Sequence, residues 1–336
     1  NGNSGSAELD IKGLVDLKTS SHDAIRAWNA AVNVGGGTIV SEGDNAWNAI
    51  ESGLGSKVTV NADLDKDGNI ALKSDSRDVK IVGDVTAESH GRVALGLGTS
   101  NSSFKGTINA DVAGLVNPDA TYTEKENGVR TADPIWGENH KEWRDNPGDV
   151  YMTLSNGAVW DHQQVSTAKD APNKNSRNES RLARLSGNGG IIKQNSDRDI
   201  RVESFGGNAT VIYQHDKEQP ANIIGGNFRV ETADAGSHVN MVTDASGLNT
   251  LSTDQSEHKK VLNTLDALAH KLVYEDFANG KKDLSGTVTI SEGLLTPGYT
   301  ASFAAARTAG STVSGSIDFG SDGAGKLGTL ITSNDD

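Results

Sequence analysis

The chain has 336 residues, of which 35% are hydrophobic and 5% aromatic, and 39 of them are glycine. This composition argues against a compact globule with long apolar segments and is typical of a fold with a narrow core and many turns. The net charge of −14 is opposite in sign to that of proteins that bind nucleic acid, so we expect no nucleic-acid partner.

Short alternating segments recur along the chain, separated by Gly, Asn and Asp. Gly68, Gly91 and Gly114 lie 23 residues apart, and segments such as "KVTVNA" and "RVALGL" fill the intervals. Regularly spaced short strands form either an antiparallel sandwich or a parallel β-solenoid, in which successive coils stack on one another. The sequence favours the solenoid because two-residue hairpin signals are few and because similar residues recur in successive coils.

This interpretation divides the chain into six segments. The first is an N-terminal cap or incomplete coil. A weaker helical pattern over residues 21–32 crosses its boundary with the first coils. In the other five segments, solenoid coils alternate with two interruptions, and a Gly-rich tail follows the last coils. The boundaries are residues 1–30 (cap), 31–116 (coils), 117–149 (polar excursion), 150–252 (coils), 253–280 (helical insertion) and 281–336 (C-terminal coils and tail).

One short segment, "NADLDKDGNIAL" at residues 61–72, begins like a calcium-binding loop. Asp63, Asp65 and Asp67 occupy alternate positions, and Gly68 follows them. Calcium loops use oxygen ligands at such positions and a glycine at the turn, so the three aspartates are candidate calcium ligands.

The same segment also fits an ordinary solvated turn. The twelfth position of a calcium loop should carry a bidentate Glu, but Ser74 stands there. Aligning the repeats on Gly68 and Gly91 predicts that an equivalent turn forms without the aspartates. The sequence therefore favours a turn, with calcium as the alternative, and we expect no other metal or cofactor.

The polar excursion at residues 117–149 is the longest projection from the predicted solenoid, and loops on rigid scaffolds often carry recognition. Exposed aromatic rings beside charged side chains suit stacking on sugar rings or insertion into a partner's pocket. In the alternative, the tryptophans fold back and anchor the excursion to the coils. The candidate ligand-binding residues are Tyr122, Arg130, Trp136, Trp143 and Arg144.

Residues 253–280 contain the clearest helical pattern. Asp254 and Glu257 form a capping-box pattern, which predicts one helix near residues 255–279. Its apolar face must be covered, so we expect it to pack between the coils at 237–243 and 286–291. The aliphatic residues of that face are Val261, Leu265, Leu268 and Leu272.

No motif in the sequence identifies a catalytic centre. The strings "GSDGAG" and "SGNGG" lack the order of a serine nucleophile loop, and the eight histidines show no metal-ligand spacing. The segment "DRDIRVE" places Asp197, Asp199 and Glu203 where they could meet carboxylates of a neighbouring coil, as glycoside cleavage requires. Alternating charges that face solvent are the simpler interpretation, so we expect no catalytic residues.

Several sequence segments, taken together, resemble segments of the passenger domains of type V autotransporters, in particular the non-proteolytic, adhesin-like class of diderm bacteria. They are "VYMTLSNGAVWDH", "RLARLSGNGGIIKQ", "TVIYQHD", "NIIGGNFRVETADAGSHV", "LDALAHKLVYEDF" and "GTVTISEGL". The resemblance is good over residues 150–294, fair over 30–115 and poor over the polar excursion. The absence of cysteine suits a chain that is threaded through an outer membrane.

The resemblance implies an all-β fold, a right-handed parallel β-helix on which the helix near 255–279 is docked. It implies an adhesin rather than an enzyme, exported to the cell surface and attached in the full-length protein to its own outer-membrane β-barrel. Its partners would be a host or bacterial surface receptor, a glycan or a matrix protein, and further copies of itself. A β-helix polysaccharide lyase or glycoside hydrolase and a structural spacer of a longer adhesin are the alternatives.

Overall fold

The computed structural model describes residues 6–110, 122–132, 147–166, 179–249, 254–291, 301–302, 312–319 and 325–327. The chain forms two compact units, Asn1–Ser186 and Gly187–Asp336. Most described residues lie in β-strands, and the pairing between strands is mainly parallel. The all-β, parallel character that the sequence predicts is therefore confirmed.

The first unit consists of short strands. They are β1 (Ala7–Ile11), β2 (Val15–His22), β3 (Ile25–Trp28), β4 (Ala30–Val34), β5 (Gly37–Ala46), β6 (Asn48–Gly53), β7 (Lys57–Val60), β8 (Ala62–Leu64), β9 (Ile70–Leu72), β10 (Val79–Val82), β11 (Asp84–Ala87), β12 (Arg92–Leu97), β13 (Ser103–Lys105), β14 (Ile108–Asn109), β15 (Tyr122–Glu124), β16 (Arg130–Ala132), β17 (Asp149–Leu154), β18 (Val159–His162) and β19 (Glu179–Gln194), which continues into the second unit.

Parallel pairing arranges all of these strands except β8, β9, β15 and β16 in three ladders. Ladder 1 has the order β1, β4, β7, β12, β17, β19. Ladder 2 has the order β2, β5, β10, β13, β18. Ladder 3 has the order β3, β6, β11, β14. Consecutive strands thus belong to different ladders, and neighbours within a ladder are separated by one full circuit of the chain.

Stacked apolar side chains form the core of the first unit. In ladder 2, Ile39, Ile81, Phe104 and Trp160 lie in register, and all four are fully buried. The rings of Phe104 and Trp160 are stacked, with centroids 5.8 Å apart. Such a column needs few apolar residues in each circuit, which explains the low hydrophobic content of the sequence.

Two antiparallel hairpins, β8–β9 and β15–β16, project from the circuits. The alignment of Gly68 with Gly91 is therefore wrong, because Gly68 lies within the first hairpin while the ladder pairs Val58 with Val93. The step of 23 residues does occur elsewhere, where Val85 pairs with Ile108. Circuits differ in length because the hairpins are inserted between ladder strands.

The helical pattern over residues 21–32 is also wrong, because these residues form β2, β3 and β4. Ile25 and Ala27 point into the core while Arg26 and Trp28 point outward. This alternation has the period of a strand, and the pairing of β3 with β6 satisfies the backbone groups.

The second unit contains two parallel ladders. The first half of β20 pairs with β22 and then β24, and the second half pairs with β23 and then β25. Its strands are β20 (Asp199–His215), β21 (Ile223–Ile224), β22 (Phe228–Ala233), β23 (Ser237–Asp244), β24 (Leu272–Tyr274), β25 (Leu284–Ser291), β26 (Ala301–Ser302), β27 (Thr312–Phe319) and β28 (Gly325–Leu327).

The predicted helix is present as α1 (Gln255–Ala269), and Asp254 caps it by accepting a hydrogen bond from the Ser256 backbone N–H. It packs against β23 and β25, and its aliphatic face is fully buried. It ends ten residues before the predicted boundary of 279, because Leu272–Tyr274 pairs with β22 and a 3-10 helix follows at Glu275–Asn279. Among the described residues, no helix has the length and apolar character needed to cross a membrane.

Candidate functional site

The hairpin β15–β16 presents an exposed tyrosine on top of an arginine. Tyr122 is 42% exposed, and the Arg130 guanidinium lies 4.6 Å from its ring centroid. The His90 ring lies 5.3 Å from the Tyr122 ring. The Arg130 backbone N–H donates to the Gly55 carbonyl at 2.8 Å, which attaches the hairpin to the circuits.

The structure thus brings together two of the five candidate residues of the polar excursion. Tyr122 and Arg130 are adjacent and form a cation–π contact. The other three, Trp136, Trp143 and Arg144, lie outside the described residues.

Ion pairs of two buried arginines hold this arrangement in place. Arg130 donates to Asp149 at 3.2 Å, and its Nε lies 3.7 Å from a Glu124 oxygen. Arg92, whose side chain is 1% exposed, pairs with the same Glu124 at 2.8 Å. Burial, together with the Arg130 charge, lowers the pKa of His90, so the imidazole beside Tyr122 is neutral at physiological pH. Because a buried guanidinium is stable only when it is paired, Asp149 and Glu124 hold Arg130 in place against the ring of Tyr122.

A second exposed aromatic residue, Trp28, has a similar construction. Trp28 is 47% exposed, and the Arg26 guanidinium lies 4.1 Å from its ring centroid. The Trp28 indole N–H and the Arg26 Nε–H both donate to Glu51 Oε1, at 3.0 and 3.1 Å. The sequence interpretation missed this pair because it treated residues 21–32 as a weak helix. The alternation of apolar and polar residues in "IRAW" is the signal that could have identified it.

Beneath Arg26 and Trp28 lies a pair of buried carboxyl groups, Asp23 and Glu51. Both side chains are 1% exposed. Asn48 donates two hydrogen bonds to Asp23 Oδ1, while Asp23 Oδ2 and Glu51 Oε2 are buried and accept none. Burial, followed by the charge of Asp23, raises the pKa of Glu51 to about 7. A single proton held between the two carboxyl groups would supply the donor that these oxygens lack.

Both aromatic residues lie near the corner where the chain passes from ladder 3 to ladder 1. Trp28 ends β3 and is in register with Gly53, the end of β6. A Cβ atom at position 53 would lie 2.9 Å from the Trp28 indole nitrogen and 3.3 Å from a Glu88 oxygen. Glycine, which has no Cβ, leaves room for both side chains. His90, two residues after Glu88, contacts Tyr122. We call this edge of the first unit, with Arg26, Trp28, Glu88, His90, Tyr122 and Arg130, the aromatic corner.

The three aspartates of the candidate calcium loop have separate partners. Asp63 pairs with Lys73 at 2.6 Å and Asp67 with Lys66 at 2.7 Å. Asp65 accepts hydrogen bonds from Asn69, and these bonds lower its pKa. In the part of the chain that the structure describes, no three acidic or histidine side chains are grouped as metal ligands.

Charged residues of "DRDIRVE" form ion pairs with residues of the neighbouring circuits: Asp199 faces Arg229, and Arg201 faces Glu231. Arg201 bonds to Glu231 of the next strand in the ladder. Arg229 lies 3.8 Å from Asp199 and 2.9 Å from Glu275. These side chains therefore form a ladder of ion pairs along the second unit, the arrangement expected for alternating charges on an outward face.

The aromatic corner offers two exposed rings, each resting on a guanidinium that is itself fixed by acidic groups. Rings of this kind bind apolar faces of ligands, while the neighbouring polar groups supply hydrogen bonds. Among the described residues, Trp28 and Tyr122 are the exposed aromatic side chains. Comparison of the chain with protein-family models, with curated proteins and with solved structures found no match in any of the three.

Proposed function

We propose that this chain is a right-handed parallel β-helix, the passenger of an autotransporter adhesin displayed at the cell surface, and that it binds saccharides. The fold is supported by the three parallel ladders of the first unit, in which each circuit adds one strand to a ladder. The resemblance of the sequence to adhesin-like passengers supports the cellular role.

The aromatic corner carries the proposal that the ligand is a saccharide. A sugar ring has an apolar face, which stacks on an aromatic side chain, and hydroxyl groups at its rim, which accept hydrogen bonds from a guanidinium. Trp28 and Tyr122 supply the rings and the exposed Arg26 supplies the donors, while the buried Arg130 supports the Tyr122 ring. Because both guanidinium groups are held by ion pairs, little side-chain entropy is lost on binding.

The proposal is tested by measuring saccharide binding to wild type and to Trp28→Ala, Tyr122→Ala and the double variant. A glycan array identifies the ligand, and calorimetry gives its affinity. Each single substitution is expected to weaken binding roughly tenfold, and the double variant more, because one stacking contact is lost at each ring. Ile224→Ala, at an apolar residue of the second unit that is 46% exposed, is the matched control and should leave the affinity unchanged.

Two results would contradict the proposal. The first is wild-type affinity in a double variant that retains the circular dichroism of the native fold. The second is release of reducing or unsaturated ends from the bound polysaccharide, which would identify the molecule as an enzyme.

A further inference from the structure

The carboxyl pair beneath Trp28 controls the charge of one end of the aromatic corner. Glu51 Oε1 accepts hydrogen bonds from both Arg26 and Trp28, so Glu51 is in direct contact with the exposed groups. Asp23 is its neighbour on the other side and raises its pKa. The protonation state of the pair therefore acts on Arg26 without any rearrangement of the fold.

The charged groups around Glu51 come from three strands of ladder 3. Asp23 and Arg26 belong to β3 and the residues before it, and Glu51 itself is on β6. On the third strand, β11, the register partner of Glu51 is the neutral Thr86, Asp84 lies at the start, and Glu88 follows the end. Arg26 is the basic group that contacts Glu51 directly.

The charge balance changes by one unit when the shared proton is lost. With one proton, Asp23 and Glu51 together carry a single negative charge, which Arg26 offsets. Without it they carry two negative charges. Glu88 lies nearby in both states and does not change this difference. Arg26 is 41% exposed along its side chain, so a ligand at Trp28 experiences this difference directly.

We propose that the Arg26–Trp28 platform prefers saccharides that carry a carboxylate, and that the proton shared by Asp23 and Glu51 maintains this preference. When the proton is present, the pair carries one negative charge instead of two, and the exposed Arg26 guanidinium pairs with the ligand carboxylate. When the proton is lost, the added negative charge repels the ligand and Glu51 competes for Arg26. This inference rests on the proposed function, because it requires that a saccharide binds at Trp28.

The test compares an oligogalacturonate with its carboxyl-reduced, neutral counterpart. Affinities are measured by calorimetry at about pH 5.5 and about pH 8.5, on either side of the pKa of Glu51. The acidic saccharide is expected to bind roughly tenfold more weakly at the higher pH, whereas the neutral one should bind equally at both. The comparison isolates the ligand carboxylate because the two saccharides share their ring skeleton.

Two variants identify the group that is responsible. Glu51→Gln keeps an acceptor for Arg26 and Trp28 and carries no charge, so it should bind the acidic saccharide equally at both pH values. Glu88→Gln removes a nearby charge outside the pair. It should strengthen binding of the acidic saccharide at both pH values and keep the tenfold difference between them.

A second measurement follows the proton without any ligand. Because the Trp28 indole N–H donates to Glu51, its NMR resonance is expected to titrate with the pair in wild type and to stay constant in Glu51→Gln. A flat Trp28 resonance in wild type, or a persistent pH effect on binding in Glu51→Gln, would overturn the inference.

The saccharide measurements also separate this inference from the proposed function. If the neutral saccharide binds in a Trp28-dependent manner while the acidic one shows no pH dependence, only the inference fails. If neither saccharide binds at Trp28, the inference is wrong. The proposed function still holds in that case if the glycan array identifies a saccharide whose binding depends on Tyr122. If no saccharide binds to either ring, both are wrong.

Discussion

At the scale of single residues, the candidate site depends on groups that a ligand would never touch. Trp28 is exposed, but Glu51 beneath it is 1% exposed, and Arg92, which pairs with Glu124 of the Tyr122 hairpin, is equally buried. These groups cannot be identified from the sequence alone, because their partners Asp23 and Glu124 are brought near only by strand register and hairpin packing. Tyr122 and Arg130 were selected from residue type and from their place in the polar excursion, and the structure shows that their side chains are in contact.

Glu51→Gln is expected to remove a pH-dependent loss of stability. Burial and Asp23 raise the pKa of Glu51 from 4.5 to about 7, so between these values the folded chain holds a proton that the unfolded chain releases. The contribution of this proton to the free energy of unfolding is therefore complete below about pH 4.5, falls as the pH rises and is lost above about pH 7. The loss is at most about 3 kcal/mol.

Urea unfolding of wild type and Glu51→Gln at about pH 5 and about pH 8 measures this difference. Burial also raises the pKa of Asp84, but that group is present in both chains and cancels in the comparison. Glu42→Gln, at an exposed residue, is the control and should keep the wild-type pH dependence. Equal pH dependence in wild type and Glu51→Gln would show that the pair does not hold a proton.

At the scale of elements, local signals predicted where the helix begins but not where it ends. The N-cap at Asp254 is a local feature, and the structure confirms it. The helix stops at Ala269 because Leu272–Tyr274 forms main-chain hydrogen bonds with Phe228–Val230, far away in the sequence. A periodic pattern cannot reveal this competition, because Leu272 is buried in either conformation.

Leu268→Asp is expected to destabilise the second unit by about 3 kcal/mol or more, because it places an unpaired carboxylate where the native side chain is fully buried. Chemical unfolding and the yield of soluble or secreted protein measure the effect. Asn263→Asp adds the same charge on the exposed face of the same helix and should change the stability little. A Leu268→Asp chain that is exported and unfolds like wild type would mean that the helix is not needed to cover β23 and β25.

At the scale of the whole chain, the repeats predicted parallel strands but not their register. A spacing of 23 residues does separate register partners in the ladders. These partners are Val85 and Ile108, however, and not Gly68 and Gly91. Register is set by which apolar side chains stack in the column, and an inserted hairpin changes the length of a circuit without changing that column. A hairpin of alternating residues has the same pattern as a ladder strand, so the sequence alone could not distinguish them.

The final prediction follows from this distinction between ladder and insertion. Replacing residues 63–71 by two glycines should leave the ladders intact, because Ala62 and Leu72 are cross-strand partners that a short link can join. Asn61 is retained, and its side chain still donates to the Gly96 carbonyl of the next circuit. The deletion removes the packing of Leu64 and Ile70 on Tyr151, so the expected loss is about 1–3 kcal/mol.

Trp160→Ala provides the comparison, because it removes a fully buried ring from the apolar column without changing the chain length. Its expected cost is about 3–5 kcal/mol, larger than that of the deletion. Hydrogen exchange of the β7 and β12 amides reports whether the ladder register survives in each variant. The prediction is wrong if the deletion costs more stability than Trp160→Ala and exposes those amides to exchange. In that case the ladders need the hairpin for their stability, and the hairpin is not an accessory insertion.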